Sequence, residues 1–173
     1  MTSRSLLAGV MMTGLLMSSS RLAAAESTPL AKVPANLDEI KAMQKKVQEV
    51  TKKVMPAVVG VQLGSIQGSG VIVSEDGYVL TAGHVSGKPG QNVTLILPNG
   101  KHLKGKTLGH NQLIDSGMIK ITDEGKWPFV SIGESTKLTQ GEWVISLGHP
   151  GGFNSQRSPP LRLGRILDRK SVV

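Results

Sequence analysis

Gly68-Ser69-Gly70-Val71-Ile72-Val73-Ser74-Glu75-Asp76-Gly77-Tyr78-Val79-Leu80-Thr81-Ala82-Gly83-His84-Val85 is the stretch whose reading decides the fold. Two runs of aliphatic and β-branched residues flank Asp76-Gly77, a dipeptide suited to a tight hairpin because glycine takes up positive φ without steric cost. His84 follows the second run, 78–82, and the small residues Ala82 and Gly83 let the backbone turn closely there. Its ring can therefore face a cleft. Asp115 comes 31 residues later and opens another extended segment. A histidine and an aspartate in that order are two members of a nucleophilic hydrolysis site, where a carboxylate on the far ring nitrogen fixes the tautomer of a general base. Asp115 stands among Leu113, Ile114, Met118 and Ile119. Burying a carboxylate alone in such a stretch is costly, and His84 is its most economical partner. The plainer readings are a structural or exposed histidine and a turn aspartate that starts a strand.

Outward from this stretch the extended pattern continues. Strands are expected at 57–63, 70–74, 78–82, 92–97, 102–108, 117–121 and 142–147, with Pro98-Asn99-Gly100 marking a second hairpin turn. With 21 glycines and five aromatics in 173 residues, the core must come from Val, Ile and Leu, types that suit strands. Short strands at regular spacing predict a mainly β fold, a closed antiparallel barrel over residues 55–150. Closure also removes the free strand edges of an open sheet.

Before the barrel the periodicity is helical. Residues 26–35 read as a linker, and Asn36 with Glu39 three residues on forms a capping-box pattern. Leu37, Ile40, Met43, Val47, Val50 and Val54 fall on one stripe, with lysines on the other faces and Pro56 as the stop. Segment 26–54 is thus a linker and a short amphipathic helix. It lies on its own domain in the simpler reading and between subunits in the sharper one.

Residues 1–25 have the form of a signal peptide: Arg4, an uncharged apolar run from Leu6 to Met17, and Ala23-Ala24-Ala25 as a cleavage pattern. As a helix that run reaches only about 18 Å, against a hydrocarbon core of about 30 Å. Export to the periplasm or outside the cell is expected, with no stable membrane span after cleavage. Removing Arg4 and Arg21 lowers the formal charge from +8 to +6, with 18 basic and 12 acidic residues. The basic tail from Arg157 has no aromatic after Phe153 to stack on bases, so nucleic acid is not an expected partner. There is no cysteine, and His102, His110 and His149 lack metal-ligand spacing, so neither metal nor organic cofactor is implied.

The ordered set Gly68-Ser69-Gly70-Val71-Ile72-Val73, Asp76-Gly77-Tyr78-Val79-Leu80-Thr81, Ala82-Gly83-His84-Val85 and Asp115-Ser116-Gly117-Met118-Ile119-Lys120-Ile121 resembles the HtrA/DegP-like branch of the trypsin-fold serine proteases. Ile132-Gly133-Glu134-Ser135-Thr136-Lys137-Leu138, Gly141-Glu142-Trp143-Val144 and Leu147-Gly148-His149-Pro150 are similar to that family's later barrel strands and the turn leaving them. The resemblance covers about residues 55–167. It implies a six-stranded barrel, the first of two, with the active site between them. His84 would be the general base and Asp115 its orienting carboxylate, in a serine endopeptidase acting on polypeptides, often unfolded ones. Many members are homo-oligomers. The chain departs from the family at Gly83, where Ala or Asn is commoner, and at Ser116-Gly117, where an apolar residue and Ala are commoner.

The family's nucleophile turn is not found. No Gly-x-Ser-x-Gly pattern occurs, and the 23 residues from Gly151 are too few for a second barrel, which needs roughly 60. Residues 151–173 supply an inter-barrel connection and the first strand of an incomplete second barrel, near 161–167. Ser69 and Ser116 lie on the barrel that already carries His84 and Asp115, without a strained turn of backbone donors, and are poor substitutes. Substrate-binding residues stay unassigned. The expectation is a serine endopeptidase that works by acyl transfer and is inactive as these 173 residues alone. The alternative is a non-catalytic protein-binding or structural barrel that lost its nucleophile lobe.

Overall fold

The structure, a computed structural model, describes residues 33–167. The segment read as a signal peptide lies outside them. Among the described residues the first elements are α1 (Leu37–Val54) and a 3₁₀ turn (Met55–Ala57), followed by β1 (Val58–Leu63), β2 (Ile66–Ile72) and β3 (Tyr78–Ala82). After the four-residue α2 (Gly83–Ser86) come β4 (Asn92–Ile96), β5 (His102–Asn111) and β6 (Ser116–Ile121). A long irregular stretch with one 3₁₀ turn (Ser135–Lys137) then leads to β7 (Trp143–Leu147) and β8 (Leu161–Arg165).

Six strands close into an antiparallel barrel in the order β1-β2-β3-β6-β5-β4, with β1 pairing β4 to seal it. Alternate residues point inward, and Val59, Val61, Ile72, Val79, Val93, Leu95, Leu103 and Ile119 fill the interior. Each such side chain contributes about 1.5–3 kcal/mol through burial. Trp127 covers one end, where its main-chain N–H donates to Glu75 O at 3.1 Å. Its ring lies where a side chain on Gly77 (φ 91°) would otherwise point.

Two expectations are corrected. The segment 142–147, expected inside the 55–150 barrel, supplies β7, which pairs with β8 in a separate two-stranded sheet. The barrel is already complete at Ile121 and offers no edge for a seventh strand. β2 starts at Ile66, not at residue 70, because β1 turns into it through the two residues Gly64-Ser65, with Gly64 at φ 59° and Leu63 opposite Ile66.

α1 begins as expected. Asn36 Oδ1 accepts the Glu39 N–H at 2.9 Å, and Glu39 Oε2 accepts from Ala35 N at 2.7 Å. Its apolar stripe divides: Leu37 and Ile40 are exposed, whereas Met43, Val47, Val50 and Val54 wall a 260 Å³ groove with Trp143, Ile145, Leu147 and Leu163. No helix among the described residues is long and apolar enough to cross a membrane.

Candidate functional site

Topology brings the two candidate residues together. β3 and β6 are antiparallel neighbours with Ala82 opposite Ser116. The residues that leave β3 and those that enter β6 therefore meet at one rim of the barrel. His84 is the second residue of α2, directly after β3, and Asp115 is the last residue of the turn before β6.

The contact between them is made several times over. Asp115 Oδ2 lies 2.8 Å from His84 Nδ1 and Oδ1 lies 3.1 Å from it. Oδ1 also accepts the His84 main-chain N–H at 3.0 Å, and the Asp115 carbonyl accepts the Gly83 N–H at 2.9 Å. One residue thus holds both the ring and the backbone of His84. To do so Asp115 adopts φ 48°, the one non-glycine residue at positive φ among those described, a conformation that Asp tolerates better than most residues. Gly83 accommodates the approach, since a Cβ there would lie 3.0 Å from Asp115 Oδ1 and 3.2 Å from its carbonyl carbon.

Against the expectation of a buried carboxylate, the pair is open to solvent, with side-chain exposures of 72% for His84 and 56% for Asp115. Leu113 and Ile114, whose apolar character suggested burial, project outward from the turn. The hydrogen bond from the His84 main chain, followed by that from its ring, holds the Asp115 carboxyl below its ordinary value. Solvent screening makes such an exposed pair a weak source of stability. Its effect is orientational: a carboxylate can only accept, so Nδ1 carries the proton and Nε2 is the free base. Among the described residues Nε2 has no hydrogen-bond partner.

The serines near the motifs point elsewhere. Ser69 Oγ accepts the His149 main-chain N–H at 2.6 Å, while its carbonyl accepts Thr81 Oγ1 at 2.7 Å. It borders a 420 Å³ cleft with Ser146, Leu147, Gly148, Pro150 and Arg162. Ser116 makes no hydrogen bond to His84. The other histidines are scattered: His102 is exposed on β5, His110 Nδ1 donates to Gly87 O at 2.9 Å, and His149 is buried beside Phe153. The sequence reading passed over Ser86, whose buried hydroxyl reaches two strands beside the Asp115 turn. Gly117, which leaves room for it, was its one visible trace.

A sequence model of the trypsin-like peptidase domain matches residues 68–171. The chain is similar to a probable periplasmic serine endoprotease DegP-like of Rhizobium meliloti (strain 1021), 36% identical over 87 residues, which are 50% of this chain and 17% of that protein. It is similar also to the putative serine protease HhoB of Synechocystis sp. (strain ATCC 27184 / PCC 6803 / Kazusa), 40% identical over 88 residues, 51% of this chain and 21% of that one. A DegP-like protein of Chlamydia trachomatis serovar D is 38% identical over 94 residues, 54% of this chain and 18% of its own length. The chain thus spans about a fifth or less of these relatives.

Proposed function

Because this chain belongs to the family of trypsin-like peptidase domains, we propose that it is the dyad-bearing portion of an exported serine endopeptidase of the HtrA/DegP type, acting on unfolded polypeptides. The observation that carries this reading is the 2.8 Å contact of His84 Nδ1 with Asp115 Oδ2, which leaves Nε2 turned to an open face. In the proposed reaction Nε2 takes the proton of a serine hydroxyl as its oxygen attacks the peptide carbonyl. Asp115 stabilises the imidazolium that forms. The imidazolium then protonates the leaving amine, and a water activated in the same way hydrolyses the acyl-enzyme. Asp115 stays ionised throughout, consistent with its lowered pKa.

The serine and its oxyanion donors come from outside the described residues in this reading, from a second barrel that β7 and β8 begin. The periplasmic names of the Rhizobium and Chlamydia relatives support export. Cleavage of unfolded casein tests the proposal. The 173-residue chain shows no turnover alone, and a longer chain carrying a second barrel of the family cleaves casein and loses activity on His84→Ala. Turnover by the 173-residue chain itself, abolished by His84→Ala, would refute the external serine.

The solvent exposure of the dyad favours one other reading, a barrel that binds proteins without cleaving them. A longer chain that binds casein but leaves it intact would establish that reading instead.

A further inference from the structure

α2 is only four residues long, far too short to hold its shape unaided, yet it must present His84 to Asp115 within a few tenths of an ångström. Its N-terminal end is fixed by Asp115 itself. Its other end is fixed by Ser86. That residue is wholly buried, and its Oγ lies 3.0 Å from Gly109 O on β5 and 3.2 Å from Met118 O on β6. These are the two strands that frame the turn carrying Asp115.

Two local features are shaped around this contact. The β5–β6 register shifts between Thr107 and Gly109, a bulge with Gly109 at φ 115°. A bulge disrupts the ladder locally and re-aims a backbone group, and here the Gly109 carbonyl meets the Ser86 hydroxyl. Gly117, on β6, supplies the space: a Cβ there would collide with Ser86 Cβ and lie 2.9 Å from Ala82 O. A glycine at 117 thus has a packing reason. His110 Nδ1, donating to Gly87 O at 2.9 Å, adds a second tie at the same end of α2.

We infer that Ser86 is a positioning residue, whose hydroxyl bolts the helix bearing His84 to both strands that carry the Asp115 turn. The inference rests on the reading that His84 and Asp115 act as a pair. Its test needs no turnover, so the two can fail separately.

Ser86→Ala removes the bolt, and Ser86→Cys keeps its shape with a weaker donor. Amide hydrogen exchange and carbon NMR titration of the Asp115 carboxyl are measured on both. In Ser86→Ala the Gly83 and His84 amides exchange roughly fivefold faster, the loss of about one hydrogen bond, while the Val59 and Ile119 amides keep their protection. The Asp115 titration midpoint rises toward the ordinary carboxylate value, and Ser86→Cys falls between Ala and the parent. If Ser86→Ala does not fold, the Asp115 midpoint of Ser86→Cys decides alone: a rise supports the inference. An unmoved midpoint, or all amides losing protection together, overturns it and leaves Ser86 a core residue only. The expected shifts in a longer chain that never cleaves casein would reject the protease reading and leave the role of Ser86 intact.

Discussion

Phe153 rests on Gly60. A Cβ at Gly60 would lie 2.8 Å from Phe153 Cβ and 3.5 Å from its Cδ2, so the Phe153 side chain, its Cβ foremost, occupies the place a side chain on β1 would take. This contact is one of several that seat the connection between β7 and β8. Gly148 lies against Ser69, Gly152 packs on Gln67, and Arg157 donates to Pro150 O at 3.1 Å. The loop is thereby fastened to β1 and β2, the strands that lead to the rim where His84 sits.

Gly60→Ala is expected to push Phe153 off its seat and to destabilise the chain by about 1–3 kcal/mol, the usual cost of overpacking. Combining it with Phe153→Gly, which removes the Cβ that the new methyl would meet, should recover part of that loss, since the two sites share one contact. Urea unfolding of the two single variants and the double variant gives the coupling. Simple additivity would mean that the ring does not depend on the missing side chain.

His149 predicts a pH dependence. It is buried, and its Nε2 has no partner among the described residues. Burial, and secondarily the charge of Arg157, hold its pKa below the ordinary 6.5. The unfolded chain therefore binds a proton at this residue at a pH where the folded chain does not. The contribution of His149 to folding stability is full above pH 6.5 and declines as the pH falls below it, until the depressed folded pKa is passed. Asp76 and Asp115, lowered from 3.8, act in a separate and more acidic window: their contribution is present above 3.8 and is lost as the pH falls through their folded values. Unfolding midpoints between pH 7.5 and 5 should fall for the parent and stay flatter for His149→Leu. Equal slopes in the two would remove His149 as the cause.

Gly117→Ala should disturb the rim more than its single methyl suggests, because the new atom meets both the Ser86 side chain and the Ala82 carbonyl. A loss of about 1–3 kcal/mol is expected from overpacking. Ser86→Gly in the same chain should relieve the side-chain part of the clash but not the backbone part. Thermal unfolding of the single and double variants checks both statements.

Much of this architecture was legible in the chain. Asp76-Gly77 and Pro98-Asn99-Gly100 marked real hairpin turns, and 78–82 proved to be β3 residue for residue. The start of β2 was missed because Gly68 looks like a loop residue and ended the expected strand at Gly70. Both are strand glycines of β2: the side-chain space at Gly68 is taken by Val85, and that at Gly70 by Val79 and Val61. Packing partners distant in sequence leave no local mark. The same limit explains β7: its strand pattern was plain and a strand near 161–167 was expected, but the pairing of the two was not. For Asp115, Leu113 and Ile114 gave a false signal of burial, since apolar neighbours in a turn can face water. The position of Asp115 beside His84 was readable, but the multiple grip on the histidine backbone depends on a positive φ that no sequence pattern announced.

The central claim is that Asp115 holds the proton of His84 on Nδ1 and leaves Nε2 as the base. Nitrogen NMR of the neutral His84 ring measures this directly. The account predicts a protonated Nδ1 and an unprotonated Nε2, with that preference weakened in Asp115→Asn. A ring protonated at Nε2 in the parent, unaffected by Asp115→Asn, would contradict it.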